Sequence, residues 1–460
     1  MRRPIIPLLI LSLLLMTACG NRETAGTSPS GGNAIGRIGM QQGLAEGNSY
    51  ITCPRDTNRT AARPESGTIT LTVSGWTSSP AEDALVRADL QKFQQAHPNM
   101  RLKWTPITTG DYPTNISADF SGGNAPDVFY LRPDMTSDYI SNAKLLNLSP
   151  YMLRDNVQAS AYYPSLITPF TCKSGEVYGI PKDWNTLGVF YNKKLFQNAG
   201  LAFPADNWTW NDMRADAKKL TKPGKIPIYG ITLPGDASRW LAFLFANGGS
   251  VLNRDGTQAT FNDKAGVDAL NFYVSFQKED GSSVLPSDVI ATTWQGADLE
   301  AFARQRAAMA IEGGWLIPYM ADFPEVQYGV APLPIAPSGK HGNLIFTNAW
   351  SAASSTKYPE AAWELIKYMT GQDVQASQLH AGFALPSLKS LANDPYFTQH
   401  PEVKVLFDAE SYGISDYFGP QDTFIHDRLN LAIANVLSGN VDAQTALNSA
   451  AKQVNKNLQS

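Results

Sequence analysis

The sequence predicts an α/β fold made of two lobes, and two observations support this prediction. Strands and helices alternate between residues 68 and 131 in the order expected of a parallel sheet that is covered by helices. About 390 residues follow the N-terminal segments, which fits two hydrophobic cores better than one.

The N-terminus resembles an export signal that is followed by a lipid-attachment site. Arg2 and Arg3 precede an apolar stretch at 5–16 that is too short to span a bilayer as a mature helix. The next residues, MTAC, resemble a bacterial lipobox, which predicts a signal peptide at 1–18 and a lipid on Cys19. An ordinary signal peptide that is cleaved nearby is the alternative. We therefore expect a protein that is tethered to a membrane by lipid, on its extracytoplasmic side.

Residues 19–66 are rich in Gly, Ser, Thr, Asn and Pro and show little apolar periodicity. Such a composition buries too little surface to become ordered, so we expect a flexible spacer in which only Cys53 is held. The chain has three cysteines, and a lipid on Cys19 leaves Cys53 and Cys172 as an even pair in an oxidising compartment. A disulfide between them would pin the spacer to lobe one, whereas two free thiols are the alternative.

The first strands are predicted to end in polar residues. The expected order is a strand at 68–73, a helix at 81–97, a strand at 100–104, a helix at 112–121 and a strand at 125–131. Ligands of such sheets bind at the carboxyl ends of the strands. The candidates there are Trp76 and Ser78 after the first strand, with Arg132 and Asp134 after the third.

A second series of elements follows the apolar strand at 187–191. The patterns predict strands at 228–233, 308–311 and 328–334, and helices at 209–220, 240–247, 267–277, 359–370, 424–437 and 443–458. The segment Gly313-Gly314-Trp315 directly follows the strand at 308–311 and its glutamate, Glu312.

The composition argues against several classes of function. The net charge is −4, 17% of residues are charged and no run of Lys and Arg occurs, which argues against a nucleic-acid partner. The five histidines show no metal-ligand spacing, and the motifs of zinc proteases, P-loop NTPases and serine hydrolases are missing from the sequence. We therefore expect neither a metal nor a cofactor.

Nine short motifs, in a fixed order, resemble the family-1 extracellular solute-binding proteins, the carbohydrate receptors of ABC importers. They are HPNMRLKW, GGNAPDVFYL, YGIPKDWNTLGVFYNKKLFQNAGL, WTWNDMRADAKKLT, LAFLFANGG, AAMAIEGGW, YGVAPLP, AAWELIKYMT and GFALPS. The resemblance covers residues 68–458 and implies a type II periplasmic-binding-protein-like fold. It also implies a monomer that binds a carbohydrate in a cleft between the lobes and delivers it to permease subunits. The polar run at 178–186, which leads directly into an apolar strand, resembles the crossover segment of the family, so the chain would cross between the lobes there and again near 348–354. Lobe one would comprise 67–184 with 351–395, and lobe two 185–350 with 396–460.

The same resemblance implies which residues contact the ligand. Besides Trp76, Ser78, Arg132 and Asp134, they are Asp183, Trp184 and Asn185 in the first crossing, Asp236, Arg239 and Trp240 around the helix before ANGG, Gly314 and Trp315, Trp350 at the second crossing, and Phe383 before LPS. The region 412–428 closes one side of the cleft in the family, and the sequence does not choose among Tyr417, Phe418 and Arg428.

These residue types suit a sugar on chemical grounds. Aromatic rings hold the C–H faces of a pyranose, while Asp, Asn and Arg bind its rim of hydroxyl groups. Trp315 is the first choice as an aromatic platform and Trp184 the second. Packing in the core is the alternative for each indole.

Two other functions stay open. A lipid-anchored glycoside hydrolase would need two carboxylates flanking one bond, and Asp134 and Asp183 are a candidate pair. A binder of a glycerol phosphodiester would need more cationic groups than Arg132, Lys182 and Arg239 supply. We therefore expect a neutral oligosaccharide as the ligand and a receptor rather than an enzyme.

Overall fold

The computed structural model describes residues 51–54, 60–62, 65–77, 80–225, 227–283 and 297–459. It contains two α/β lobes, and each is built on one sheet. We call the lobe with the six-stranded sheet lobe one and the lobe with the three-stranded sheet lobe two.

The two sheets differ in their strand directions. The strands are β1 (Ile69–Thr77), β2 (Met100–Thr108), β3 (Val128–Leu131), β4 (Gly179–Asn185), β5 (Leu187–Asn192), β6 (Met309–Gly313), β7 (Tyr328–Ala331), β8 (Asn343–Ala352) and β9 (Gly413–Ser415). In lobe one the order is β2-β1-β3-β8-β4, and β9 pairs with β8. The predicted parallel arrangement holds for β1 with β2 and β3, whereas β8 lies antiparallel to β3 and β4. Lobe two has the antiparallel order β6-β5-β7.

Helices cover the sheets in both lobes. They are α1 (Pro80–Ala96), α2 (Tyr112–Ser121), α3 (Pro133–Ser141), α4 (Ser149–Arg154), α5 (Pro164–Ile167), α6 (Lys193–Asn198), α7 (Trp210–Leu220), α8 (Ala237–Ala246), α9 (Lys264–Lys278), α10 (Ala297–Ala303), α11 (Leu316–Met320), α12 (Pro359–Met369), α13 (Gln372–His380), α14 (Tyr396–Gln399), α15 (Pro401–Asp408), α16 (Asp422–Leu437) and α17 (Ala443–Leu458). In the part of the chain that the structure describes, no helix combines the length and the apolar character needed to cross a bilayer.

Side-chain hydrogen bonds fix where several helices begin. Thr209 and Asp212 form a reciprocal capping box at the start of α7. Asp236 caps α8 by accepting a hydrogen bond from the backbone amide of Arg239. Because this cap sets the first turn of α8, it also sets the direction in which Ser238 and Arg239 leave the helix.

The chain passes between the lobes at two adjoining points. Only Thr186 separates β4 in lobe one from β5 in lobe two. The other passage is β8, which begins beside the core of lobe two at Leu344 and ends between β3 and β4. Asn343 joins the two passages, because its side chain accepts from the amide of Leu187 at 2.9 Å and donates to the carbonyl of Leu187 at 2.7 Å.

Three groups of buried apolar side chains hold the structure together. The core of lobe one contains β1, β3 and the helices that cover them, and the core of lobe two contains α8, α9, α16 and α17. The third group joins Trp184 to Phe190 and Phe302, together with apolar residues from 379–406. Since residues 379–406 contact side chains from both lobes, the boundary between 395 and 396 stays a proposal.

The described part of the predicted spacer packs on lobe one. Cys53 and Cys172 form a disulfide across 119 residues of sequence. Ile51 is fully buried, and its carbonyl accepts from the amide of Lys173 at 2.8 Å. The carboxylate of Glu65 accepts from the amides of Glu360 and Ala361 in the first turn of α12. The expectation that only Cys53 is held is therefore wrong, because burial also holds Ile51 and hydrogen bonds to the start of α12 hold Glu65.

The expected strand at 228–233 is not continuous. Tyr229 and Thr232 make only isolated bridges, to Ala307 just before β6 and to Ala310 within β6. Gly230 lies between them and packs against the end of α7, where a Cβ atom would come within 1.9 Å of the carbonyl oxygen of Ala217. This close approach to a helix interrupts the pairing that the apolar pattern predicts.

A candidate ligand cleft between the lobes

A cavity of about 460 Å³ opens between the two lobes. Lobe one contributes the ends of β1 and β3, lobe two contributes the first turns of α8 and α16, and the crossing part of β8 lies between them. The lining consists of Trp76, Thr109, Arg132, Pro133, Asp134, Ser238, Ile345, Phe346, Thr347, Asn348, Asp416, Asp422, Thr423, His426 and Asp427. Three of the predicted contact residues, Trp76, Arg132 and Asp134, are among them.

Trp76 lies near the end of β1, on a base of other aromatic rings. Its ring meets Tyr112 and Tyr130 edge to face, at centroid distances of 5.0 and 4.9 Å. The preceding Gly75 allows this packing, because a Cβ atom there would lie 2.7 Å from the rings of Trp104 and Tyr130. The indole is thus held in place and partly exposed at the cavity.

Arg132 and Asp134 form a bidentate ion pair at the end of β3. The Nε and Nη2 atoms of Arg132 lie 3.0 and 2.8 Å from the two carboxylate oxygens of Asp134. Pro133 begins α3 between them, and its fixed φ favours the helix start that brings the two side chains together. The pair presents fixed donors and acceptors to the cavity.

Lys182 and Asp183 form a second ion pair near Trp76, in the middle of β4. Lys182 is buried, and its Nζ lies 4.6 Å from the ring centroid of Tyr130 and 5.9 Å from that of Trp76. Asp183 is partly exposed, but the structure does not place it in the lining of the cavity. The charge of Lys182 is thus paired with that of Asp183 and is further stabilised by the aromatic faces.

The start of α16 brings a histidine between two aspartates at the cavity wall. His426 Nε2 lies 3.3 Å from Asp416 Oδ1 and 3.8 Å from Asp422 Oδ1. Burial alone lowers the pKa of His426, but Asp416, Asp422 and Asp134 outweigh it and raise the pKa to about 9. Burial raises the pKa of Asp422 to about 7, against the opposing charge of His426. The imidazolium is therefore charged at neutral pH.

The loop after β6 lies beside this cavity. Trp315 meets Phe346 edge to face at 5.5 Å, and Phe346 lines the cavity while Trp315 does not. The indole nitrogen of Trp315 donates to Glu312 at 2.8 Å, and Arg239 binds the same carboxylate. Arg239 is therefore engaged within lobe two, with its guanidinium 5.9 Å from the ring centroid of Trp315.

Asn185, Gly314 and Phe383 lie together but outside the lining of the 460 Å³ cavity. The side-chain oxygen of Asn185 accepts from the amide of Gly314 at 2.9 Å. All three residues line a separate void of about 10 Å³, which has room for about one water molecule. Their contact with a ligand stays a prediction, and in this structure the bond between Asn185 and Gly314 joins the crossing to the loop after β6.

Three predicted contacts lie in the hydrophobic core instead. Trp184, Trp240 and Trp350 are 1%, 0% and 0% exposed. Trp184 donates its indole hydrogen to the carbonyl of Pro386 at 2.7 Å, and Trp350 packs edge to face on Tyr130 at 4.4 Å. No face of these rings is open to a ligand, so we correct their assignment to packing residues. Trp184 and Trp350 lie in strands whose two faces are both covered, and Trp240 lies in α8 within the core of lobe two. The sequence pattern alone does not reveal this burial.

The remaining predicted residues have other placements. Asp236 caps α8 at the edge of the cleft but is not part of the cavity lining. Ser78 and Cys19 lie outside the described residues. Tyr417 and Phe418 line a second cavity of about 590 Å³ on the other side of Asp416, and Arg428 donates to Gln453.

The sequence analysis missed the lining residues of β8, the residue after β9 and the start of α16, namely Ile345, Phe346, Thr347, Asn348, Asp416, Asp422, Thr423, His426 and Asp427. A signal was present for the helix. Pro420 followed by Asp422 indicates a helix start at 422 rather than 424, and Asp422 and His426 are then one turn apart on the same face.

One cluster of possible metal ligands occurs among the described residues: Cys53, Cys172 and Glu176. The two sulfur atoms are joined in the disulfide and are not thiolates, so the cluster offers a single carboxylate. It carries no metal site.

Comparison with known proteins assigns the chain to a family. Residues 76–376 match the model of the bacterial extracellular solute-binding proteins, and this match covers more than half of the chain.

The chain belongs to the family of bacterial extracellular solute-binding proteins.

Two proteins that are named for the sugars they bind are similar to the chain over most of its length. The multiple sugar-binding protein of Streptococcus mutans is 21% identical over 404 residues, which cover 82% of this chain and 89% of that protein. The maltooligosaccharide ABC transporter solute-binding lipoprotein of Streptococcus pneumoniae is 24% identical, and the match covers 75% of this chain and 79% of that protein.

The fold is also that of a solved solute-binding protein. The ABC substrate-binding protein of Listeria monocytogenes in complex with cycloalternan superposes with a TM-score of 0.78 at 23% identity, over 85% of this chain and 99% of that one. The predicted two-lobe fold is confirmed.

Proposed function

We propose that the protein is an extracytoplasmic receptor that binds a neutral oligosaccharide between its lobes and delivers it to the permease of an ABC importer. The observation that carries this proposal is the lining of the cleft. Trp76 and Phe346 supply aromatic surface, and hydroxyl, amide and carboxylate groups surround them. Aromatic rings pack on the C–H faces of a sugar while the polar groups bind its hydroxyls. A volume of about 460 Å³ suits a small-molecule ligand.

The charges of the lining favour a neutral ligand over a phosphodiester. Among the lining residues that the structure describes, the cations are Arg132 and His426, and each is paired with an aspartate. Asp427 and the partly ionised Asp422 leave an excess of negative charge near neutral pH. An anionic ligand would have to displace an existing ion pair and approach these carboxylates.

A receptor fits the carboxylates better than a hydrolase does. Asp134 and Asp183, the candidate catalytic pair, are each engaged by a neighbouring cation, Arg132 and Lys182. One carboxyl group does have a property that a hydrolase would use: the pKa of Asp422 is about 7, in the range that a general acid needs. Hydrolysis is therefore measured directly in the experiment below. The similar proteins named above are binding proteins.

The proposal includes a lipid on Cys19 and a position on the outer face of the membrane. It is supported by the MTAC sequence and by the pneumococcal relative, which is named a lipoprotein. Mass spectrometry of the processed N-terminal peptide tests the lipid. Light scattering of the protein without its first 18 residues tests the monomer that we expect.

A thermal-shift screen tests the ligand class. The panel contains neutral oligosaccharides of increasing length, a glycerol phosphodiester and a uronic-acid oligomer. A neutral oligosaccharide at a hundredfold excess over its Kd should stabilise the fold by about 2.7 kcal/mol. Chromatography after long incubation should recover it intact. A shift only with the anionic compounds, or cleavage of the saccharide, would contradict the proposal.

A further inference from the structure

We propose that Glu312 is a positioning residue of the cleft. It holds the indole of Trp315 against Phe346, which lines the cavity, and thereby sets the affinity for the saccharide without contacting it. The inference rests on the proposed function, because saccharide affinity is one of its readouts.

The first step is the burial of Glu312 as a charged group. Glu312 lies next to the end of β6 and is 0% exposed. Its two carboxylate oxygens lie 2.9 and 2.8 Å from Arg239 Nη2, and one of them also accepts from Trp315 Nε1 at 2.8 Å. A carboxylate is tolerated at such a position only when it is paired and hydrogen-bonded, so these partners are held in place.

The second step is the turn that lets the indole reach back to Glu312. Gly313 and Gly314 separate the two residues, and the ring of Trp315 lies over Gly313. A Cβ atom at Gly313 would come within 2.3 Å of a carbon of the indole. Any other residue at this position would push the ring away from the carboxylate that orients it.

The third step links this unit to the cavity. Trp315 meets Phe346 edge to face, with 5.5 Å between ring centroids and an interplanar angle of 79°. Arg239 follows Ser238, another lining residue, in the first turn of α8. Glu312 therefore joins the two elements of lobe two, β6 and α8, whose side chains form or support the cavity wall.

A double-mutant cycle tests the proposal by calorimetry with the neutral oligosaccharide from the thermal-shift panel. Glu312→Ala should weaken binding about tenfold in the wild-type background. In the Trp315→Ala background the same change should alter affinity less than about twofold, because the residue through which Glu312 acts is gone. Equal losses in both backgrounds, or no loss in the wild type, would overturn the proposal.

A conservative variant separates the indole bond from the ion pair. Glu312→Gln keeps an oxygen that accepts from Trp315 but loses the charge that pairs with Arg239, and it guards against a failure of Glu312→Ala to fold. Its affinity should stay within about threefold of wild type. A tenfold loss in Glu312→Gln would show that charge, not the indole bond, matters.

Fluorescence tests the positioning without any ligand. In each background, the emission of Trp315 is the difference between the protein that has Trp315 and the same protein with Trp315→Phe. The quenching of this emission by acrylamide should be greater in the Glu312→Ala background than in the wild-type background. Unchanged quenching overturns the proposal even if no saccharide binds, whereas increased quenching with no binding isolates the failure to the proposed function. Glu300→Ala is the matched control, since Glu300 is also a buried glutamate of lobe two paired with an arginine, Arg304. It should change neither quenching nor affinity.

Discussion

The side-chain oxygen of Asn185 accepts a hydrogen bond from the backbone amide of Gly314 at 2.9 Å. Asn185 is the last residue of β4 at the crossing between the lobes, and Gly314 follows β6 in lobe two. The contact needs a glycine, because a Cβ atom on Gly314 would lie 2.6 Å from that oxygen. One buried bond thus ties the crossing to the loop that carries Trp315.

Loss of this bond should lower stability. Asn185→Ala removes the acceptor of a buried amide, and we expect the free energy of unfolding to fall by about 1–3 kcal/mol. Urea denaturation followed by circular dichroism measures the change. Asn142→Ala is the control, since Asn142 makes exposed hydrogen bonds within one helix end. Equal effects of the two substitutions would contradict a special role for the Asn185 bond.

Trp315 and Trp208 should respond to truncation in opposite ways. Trp315→Ala should weaken saccharide binding by about 1–3 kcal/mol and cost little stability, because its ring is only partly buried. Trp208→Ala should chiefly lower the melting temperature, because Trp208 is buried and donates to the carbonyl of Pro332 at 3.0 Å. Calorimetry and thermal unfolding separate the two effects. A lower melting temperature with unchanged affinity in Trp315→Ala would make Trp315 a core residue.

The cluster of Asp416, Asp422 and His426 should make stability depend on pH. The pKa of His426 is raised from 6.5 to about 9. The stability that the protonated imidazole adds to the fold is therefore complete below pH 6.5 and is lost as the pH rises through 9. Burial raises the pKa of Asp422 from 3.8 to about 7. Stability therefore also falls as the pH rises between those two values, because the folded state keeps a proton that the unfolded chain has lost.

Thermal unfolding of wild type and His426→Gln between pH 6 and pH 10 checks this dependence. The wild type should lose more of its melting temperature across this range than the variant does. His380→Gln is the control, because His380 forms an exposed pair with Asp394. Parallel curves for wild type and His426→Gln would contradict the assignment.

Reduction of the disulfide should release the N-terminal segment from lobe one. The bridge closes a loop across 119 residues, and the chain-entropy model assigns a loop of this size about 4–5 kcal/mol. The joint substitution Cys53→Ser and Cys172→Ser should lower the melting temperature and make residues 51–66 accessible to proteases, with little change in saccharide affinity. Recovery of both cysteines as free thiols from protein kept oxidised would contradict the bridge.

Local patterns predicted most of the fold. Alternating apolar residues located β1, and the helix at 112–121 matches α2 in full. The crossing at 178–186 was identified through the resemblance of this run to the crossover segment of the family. The strand at 228–233 failed because its interruption depends on the contact of Gly230 with α7, which is distant in sequence.

The candidate site was less accessible to sequence reasoning. Trp76, Arg132 and Asp134 were found because the ends of parallel strands share one edge of a sheet. Trp350 was misassigned, because an indole in a strand buried on both faces has the same local sequence signal as one at a cleft. Asp416 and His426 were missed, since they come together only through the turn that starts α16.

Small-angle scattering with and without the oligosaccharide tests the central claim most directly, namely that a saccharide binds between the lobes. Lining residues from both lobes surround the cavity, so a ligand that contacts both sides should draw them together about the crossings at Thr186 and β8. The radius of gyration should decrease at saturation, and Trp76→Ala should shift this decrease to higher ligand concentration. An unchanged radius at calorimetrically proven saturation would contradict binding in the cleft with closure of the lobes.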